Sequence, residues 1–168
     1  ILEAIENEIV NNTLQANSTA EKNSKSLEKD VPYNPFYSIQ RYSRDLWEQS
    51  SEPLQYIAQL DQETQISLSS YYSITIPSNN GVLERLETLT YDKLIDCSPI
   101  GENTQINESD YCRQWNSVML NIERSVALDV CVQGVELLKK FHPTKDRKGS
   151  WLLKLIMGDK SMRILSGE

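Results

Sequence analysis

A single histidine, His142, is almost too little imidazole for the chemistry that side chain usually carries. It stands directly before Pro143 at the end of a helical pattern, where a cation suits the helix dipole, and no nucleophile motif accompanies it. One histidine and three scattered cysteines give no zinc-ligand spacing. The Glu-x-x-His pair of di-metal helical bundles is missing as well. These absences leave no catalytic residue, metal ligand or cofactor to nominate, and they lean against an enzyme. Glycine and proline are scarce, six of each, which disfavours a fold of many short strands and tight turns. No run of 18 apolar residues occurs, so nothing in the chain reads as a membrane-spanning helix, and no signal-peptide pattern is seen. A basic excess is lacking too: the formal charge is −7, which argues against nucleic acid as a partner.

What is present is helical periodicity over most of the chain. Leu2, Ile5, Ile9, Thr13, Ala16 and Ala20 make one stripe of a first helix over 1–30, although its Asn- and Ser-rich middle has weak helix propensity and needs tertiary partners. "VPYNPF" at 31–36 breaks it. A second helix is expected over 36–50 with Phe36, Ile39, Tyr42 or Ser43, Leu46 and Trp47 inward, then a short one over 53–60. Asp61 is the expected cap of a third helix carrying Ile66, Leu68, Tyr71, Tyr72 and Ile74. Pro77 then produces either a kink or a reversal, with the kink favoured. Residues 82–97 continue with Leu83, Leu86 and either Leu89 or Thr90. The last long helix follows a cap at Asn107 or Ser109, with Trp115, Val118, Met119, Ile122, Val126, Val130, Val135 and Leu138 as its stripe. The fold class that results is all-α, an antiparallel bundle of four to six helices. Residues 1–141 form the bundle and 142–168 a basic segment packed on or beside it: 139–168 holds eight Lys/Arg against three Asp/Glu, whereas 1–138 holds nine against 21. Residues 151–165 read equally as a short helix or a hairpin turned at Gly158-Asp159.

"DCSPIGENTQINESDYC", 96–112, places Cys97 and Cys112 at the two ends of a polar loop between helices. A bridge there closes a loop of about 15 residues, worth roughly 3 kcal/mol in the chain-entropy model, and requires an oxidising compartment. Two reduced core-facing thiols are the alternative. Cys131, in "DVCVQ", reads as a small buried hydrophobe. Two features favour the oxidising side: Glu3, Glu6 and Glu8 precede any Lys or Arg, against the positive-inside pattern, and Asn11, Asn17 and Asn107 head glycosylation sequons. The aromatic set offers a candidate ligand pocket of Tyr33, Tyr42, Trp47, Tyr71 and Tyr72. Its alternative, the commoner outcome for such residues, is a core with hydroxyls at the rim.

Four stretches, "IENEIVNN" at 5–12, "DLWEQ" at 45–49, "LSSYY" at 68–72 and "NN" at 79–80, resemble a broad class of prokaryotic proteins of unknown function with an N-terminal membrane segment followed by a helical domain. The resemblance runs from residue 5 to about 95. It implies a helical domain tethered to a membrane by a segment absent from this chain, and no chemistry. The chain also begins in mid-pattern, without a cap before Leu2, which suits such a tether. The functional expectation is therefore a non-enzymatic, membrane-tethered sensing or protein-interaction domain on the extracytoplasmic side, taking a protein or small-molecule ligand. A cytoplasmic helical scaffold is the alternative, and an enzyme of unrecognised type the third.

Overall fold

The computed structural model describes residues 2–29, 39–49, 57–97 and 110–141, and for 49, 91–97 and 110 the backbone alone. Helix α1 spans Leu2–Glu28. Its polar middle is held by packing, as its propensity requires: Ile5, Ile9, Thr13, Ala16, Ala20 and Asn23 lie buried on one face. The helix α5, Asp110–Phe141, is its main partner. The two run antiparallel, since Asn23 meets Glu123 while Thr13 meets Gly134. At the second crossing the helices approach so closely that a Cβ on Gly134 would fall 2.2 Å from Thr13 Oγ1. A glycine is therefore required there for space.

Helix α2 is short, Asp45–Gln49. Helix α3, Gln62–Ser70, starts at the expected cap: Asp61 accepts from the Thr64 backbone N–H at 2.9 Å and from its hydroxyl at 2.6 Å. These bonds, the Thr64 hydroxyl first, hold the Asp61 carboxyl below its ordinary pKa. A π-helical turn, Tyr71–Thr75, joins α3 to helix α4, Ile76–Cys97. The π-turn has a local cause. Pro77 has no N–H to donate, and in a strict α-helix its ring would collide with the carbonyl four residues back. The Ile76 N–H instead bonds to Tyr71 O, five residues back, and the inserted residue lets the helix continue through the proline. "PSNNG" thus lies inside a continuous rod, and the reversal is not taken.

Lys140 donates to Ser67 and pairs with Glu63, and Asn79 donates to Asp129, so α3–α4 also runs antiparallel to α5. The architecture is all-α, as the spacing implied: α1 and α3–α4 lie parallel to each other on either side of an antiparallel α5. Their shared core holds Ile5, Ile9, Leu68, Ile76, Leu83, Leu86, Val130 and Leu138. Thr90, not Leu89, faces inward; its hydroxyl bonds to Leu86 O, and Leu89 is exposed. Ile66, Ile74 and Val118, expected in the core stripes, are each more than half exposed.

The second helix is shorter than its period implied. Residues 39–44 are not helical, and α2 begins only at Asp45. The cause is tertiary: side chains of α1 and α4 take the backbone groups that a helix would have used. Of the short helix expected over 53–60, Ile57 is helical but 58–60 form a turn in which the Leu60 N–H donates to Ile57 O at 2.9 Å; residues 53–56, Tyr33, the 98–109 loop and the basic segment 142–168 lie outside the described residues.

Candidate functional site

Residues 39–44 form a strap in the groove between α1 and α4. In an extended chain the N–H and C=O of one residue point to one side, and those of the next residue to the other. Two asparagines use this alternation. On the α4 side, Asn80 Oδ1 accepts from the Tyr42 N–H at 2.9 Å and Asn80 Nδ2 donates to Tyr42 O at 2.9 Å. On the α1 side, Asn12 Oδ1 accepts from the Ser43 N–H at 2.9 Å and Asn12 Nδ2 donates to Ser43 O at 2.8 Å. Each side-chain amide stands where a neighbouring strand's peptide would stand. All four backbone polar groups of Tyr42 and Ser43 are satisfied.

The bracketing extends along both helices. Glu8, Asn12 and Gln15 share one face of α1 at i, i+4 and i+7 spacing. Gln15 Nε2 donates to Gln40 O at 3.1 Å. Glu8 Oε2 accepts from the Ser43 hydroxyl at 2.8 Å and from the Leu46 N–H at 3.2 Å, so it serves one of the orphan donors that open α2. On α4, one face offers Asn80 and, seven residues on, Glu87, which pairs with Arg41 at 3.1 Å. The strap therefore runs antiparallel to α1, and its position is fixed by side chains at five points.

Beneath the strap lies the aromatic group. Tyr42, Tyr71 and Tyr72 are at most 4% exposed. Trp47 stacks on Tyr72 with ring centroids 5.0 Å apart, and Tyr71 meets Tyr72 edge-on at 5.2 Å. The Tyr71 and Tyr72 hydroxyls and Glu8 Oε1 are buried without a hydrogen-bond partner. Burial pushes all three phenols above their ordinary pKa; Glu8 opposes ionisation further at Tyr72, and Glu123 at Tyr42. Of the five aromatics proposed as a pocket, Tyr42, Trp47, Tyr71 and Tyr72 do come together. They pack as core around a buried carboxylate. Reasoning from sequence missed Glu8, Asn12 and Asn80. The signal was present for the first two, which are polar residues at core-facing positions of α1 between Ile5, Ile9 and Ala16. The four stretches quoted above for their resemblance contribute Glu8 and Asn12, Trp47, the tyrosine pair, and Asn80, and so meet at this one place.

Cys131 is a free, buried thiol whose pKa burial raises. Cys112 is 2% exposed, while the Cys97 side chain, and with it the expected pairing, lies outside the described residues. Among the described residues no helix is long and apolar enough to cross a membrane, and no group of three or more His, Cys, Asp or Glu is placed to hold a metal ion. No protein-family model, curated protein or solved structure matches the chain.

Proposed function

We propose that the chain is a non-enzymatic helical interaction domain, one that engages polypeptide. The observation that carries this reading is the pair of amide brackets on Tyr42 and Ser43. The convergent polar side chains of the site are aimed at main-chain N–H and C=O groups, and recognition of extended backbone by such groups is the physics of strand addition. The test is a thermal-shift panel of metabolites run beside an array of short peptides. Peptides are expected to bind and metabolites to leave the melting temperature unchanged. A metabolite that stabilises the chain dose-dependently, with no peptide bound, would replace the reading with a small-molecule site.

The finer part of the proposal is an extracytoplasmic domain tethered to a membrane by a segment outside this chain. The tether rests on the resemblance and the side on the acidic first turns, the sequons and a Cys97–Cys112 bridge. The helix register supports that bridge. Asn79 lies level with Asp129; eighteen residues on along α4 is Cys97, and eighteen back along α5 is Tyr111, beside Cys112. Thiol mapping of non-reduced native protein is expected to find Cys131 alone reactive after denaturation. Three reactive thiols would move the domain to the cytoplasmic scaffold reading. Full-length protein recovered in the soluble fraction would remove the tether.

A further inference from the structure

We propose that the groove between α1 and α4 is a binding site for an extended cationic peptide of another protein, and that residues 39–44 occupy it as an internal stand-in. The proposal rests on the interaction-domain reading and names its site and its ligand. Three observations carry it. The strap is held as a ligand is held: outside α2 its backbone bonds go to side chains of distant elements, through Asn12, Gln15 and Asn80. Backbone recognition of this kind does not depend on the strap being covalently part of the chain.

Next, the groove reads side chains in order. Glu87 takes the basic residue Arg41. The core takes Tyr42, which is 4% exposed. Glu8 takes the hydroxyl of Ser43 and, three residues on, the backbone N–H of Leu46. The ligand class is therefore basic–aromatic–hydroxyl in extended conformation. Charge chooses the source. The groove presents the carboxylates Glu8 and Glu87, and the strap that fills it sets Arg41 on Glu87, while Arg44 pairs with Glu48 of α2, on a chain of net charge −7. A cationic segment of a different protein is drawn to this surface, whereas a second copy brings its own −7 and is repelled.

The tethered strap competes at high effective concentration, so the wild-type groove is closed to all but strong ligands. Weakening the strap opens it. The experiment measures the fluorescence anisotropy of a labelled synthetic peptide, residues 39–47 (IQRYSRDLW), titrated with wild-type chain, with a Tyr42→Ala chain and with an Arg41→Ala chain. Arg41 is surface-exposed, so the last variant keeps the test open if Tyr42→Ala impairs folding. The Tyr42→Ala chain is expected to bind at least tenfold more tightly than wild type, and the Arg41→Ala chain, which loses only an exposed pair, about two- to fivefold more tightly. Adding Asn80→Leu to the chain, or Arg41→Glu to the peptide, is expected to weaken binding at least tenfold. Strap-weakened chains with intact helical circular dichroism that bind no better than wild type would overturn the proposal. So would binding indifferent to both changes, or a Tyr42→Ala chain that ignores the peptide and dimerises with concentration, which would mean strap exchange between copies. If this peptide fails while others on the array bind, the groove assignment falls and the interaction reading stands; if no peptide binds at all, both fall.

Discussion

Gly134→Ala should change the sign of its effect according to what stands at position 13. The added Cβ would lie 2.2 Å from Thr13 Oγ1 and 3.4 Å from Thr13 Cβ, whereas comfortable non-bonded separations are about 3.5 Å or more. Thr13 has little freedom to yield. It is β-branched, it is fully buried, and its hydroxyl bonds back to Ile9 O at 2.7 Å. The clash must then push α1 and α5 apart at their closest crossing. Overpacking against so fixed a neighbour falls in the upper part of the usual range, about 2–3 kcal/mol, partly offset by about 1 kcal/mol of helix propensity gained on replacing glycine. The net expectation is destabilisation by about 1–2 kcal/mol, or a melting temperature lower by roughly 2–8 °C for a chain of this size. In a Thr13→Ala background the nearest remaining atom is the Cβ at 3.4 Å, an ordinary contact. The propensity gain is then unopposed, and Gly134→Ala should stabilise by up to about 1 kcal/mol. Urea unfolding of the four chains, followed by circular dichroism, gives the double-mutant cycle, with an expected coupling of about 2–3 kcal/mol. Gly134→Ala that is neutral in the wild-type background, or equally costly in both, would refute the close approach of the two helices.

Alkaline stability should follow the buried tyrosines. Burial raises the folded-state pKa of Tyr42, Tyr71 and Tyr72 above the ordinary 10.0, so their contribution is complete below that pH and is lost as pH rises, because the unfolded chain deprotonates first. The expected slope above it is about 1.4 kcal/mol per pH unit for each group, about 4 kcal/mol for three. Phenolate absorbance should show these three ionising only with unfolding. Asn80→Leu removes both partners of Tyr42 backbone groups and should cost about 2–4 kcal/mol, with amide exchange at Tyr42 accelerating; unchanged exchange would mean that the bracket holds nothing. Ile66→Lys, at a position 62% exposed, should shift stability by less than about 0.5 kcal/mol; a larger loss would place that residue in an interior.

What could be read from the sequence was what short-range physics decides. The Asp61 cap needed only a carboxylate three residues before a backbone N–H, and the buried faces of α1 and α5 followed from the 3.6-residue period. Position 90 was left open against 89 because both fit the period; a back-bonded hydroxyl let threonine take the inner place. The strap was not legible for a physical reason. Ile39, Tyr42, Leu46 and Trp47 do carry a helical period, but the groups that satisfy its backbone come from Asn12 and Asn80, more than 30 positions away. No local rule registers such a partner. The aromatic cluster was legible as a set of residues; the carboxylate against it was missed, although Glu8 stands at a core-facing position beside Ile5 and Ile9, because nothing local names the strap that would cover it.

The burial of Glu8 gives the strap its specificity. A carboxylate this deep is costly unless its oxygens are hydrogen-bonded. Both donors to Glu8 Oε2 come from one short stretch, the Ser43 hydroxyl and the Leu46 N–H, and its other oxygen has none. Removing the strap therefore strips Glu8 of both donors and leaves it to water. Shifting the strap by one residue is no better, since it would bring Arg41 in one direction or Ser43 in the other to the place where Tyr42 is buried and turn the two bracketed residues to the wrong sides. A leucine at position 8 would pack with less penalty but would accept any register. The buried carboxylate thus exchanges stability for the choice of one alignment. Whatever occupies this groove must bring a hydroxyl one residue after its aromatic anchor and, three residues later, a backbone N–H aimed at Glu8, which is a requirement on sequence and conformation together.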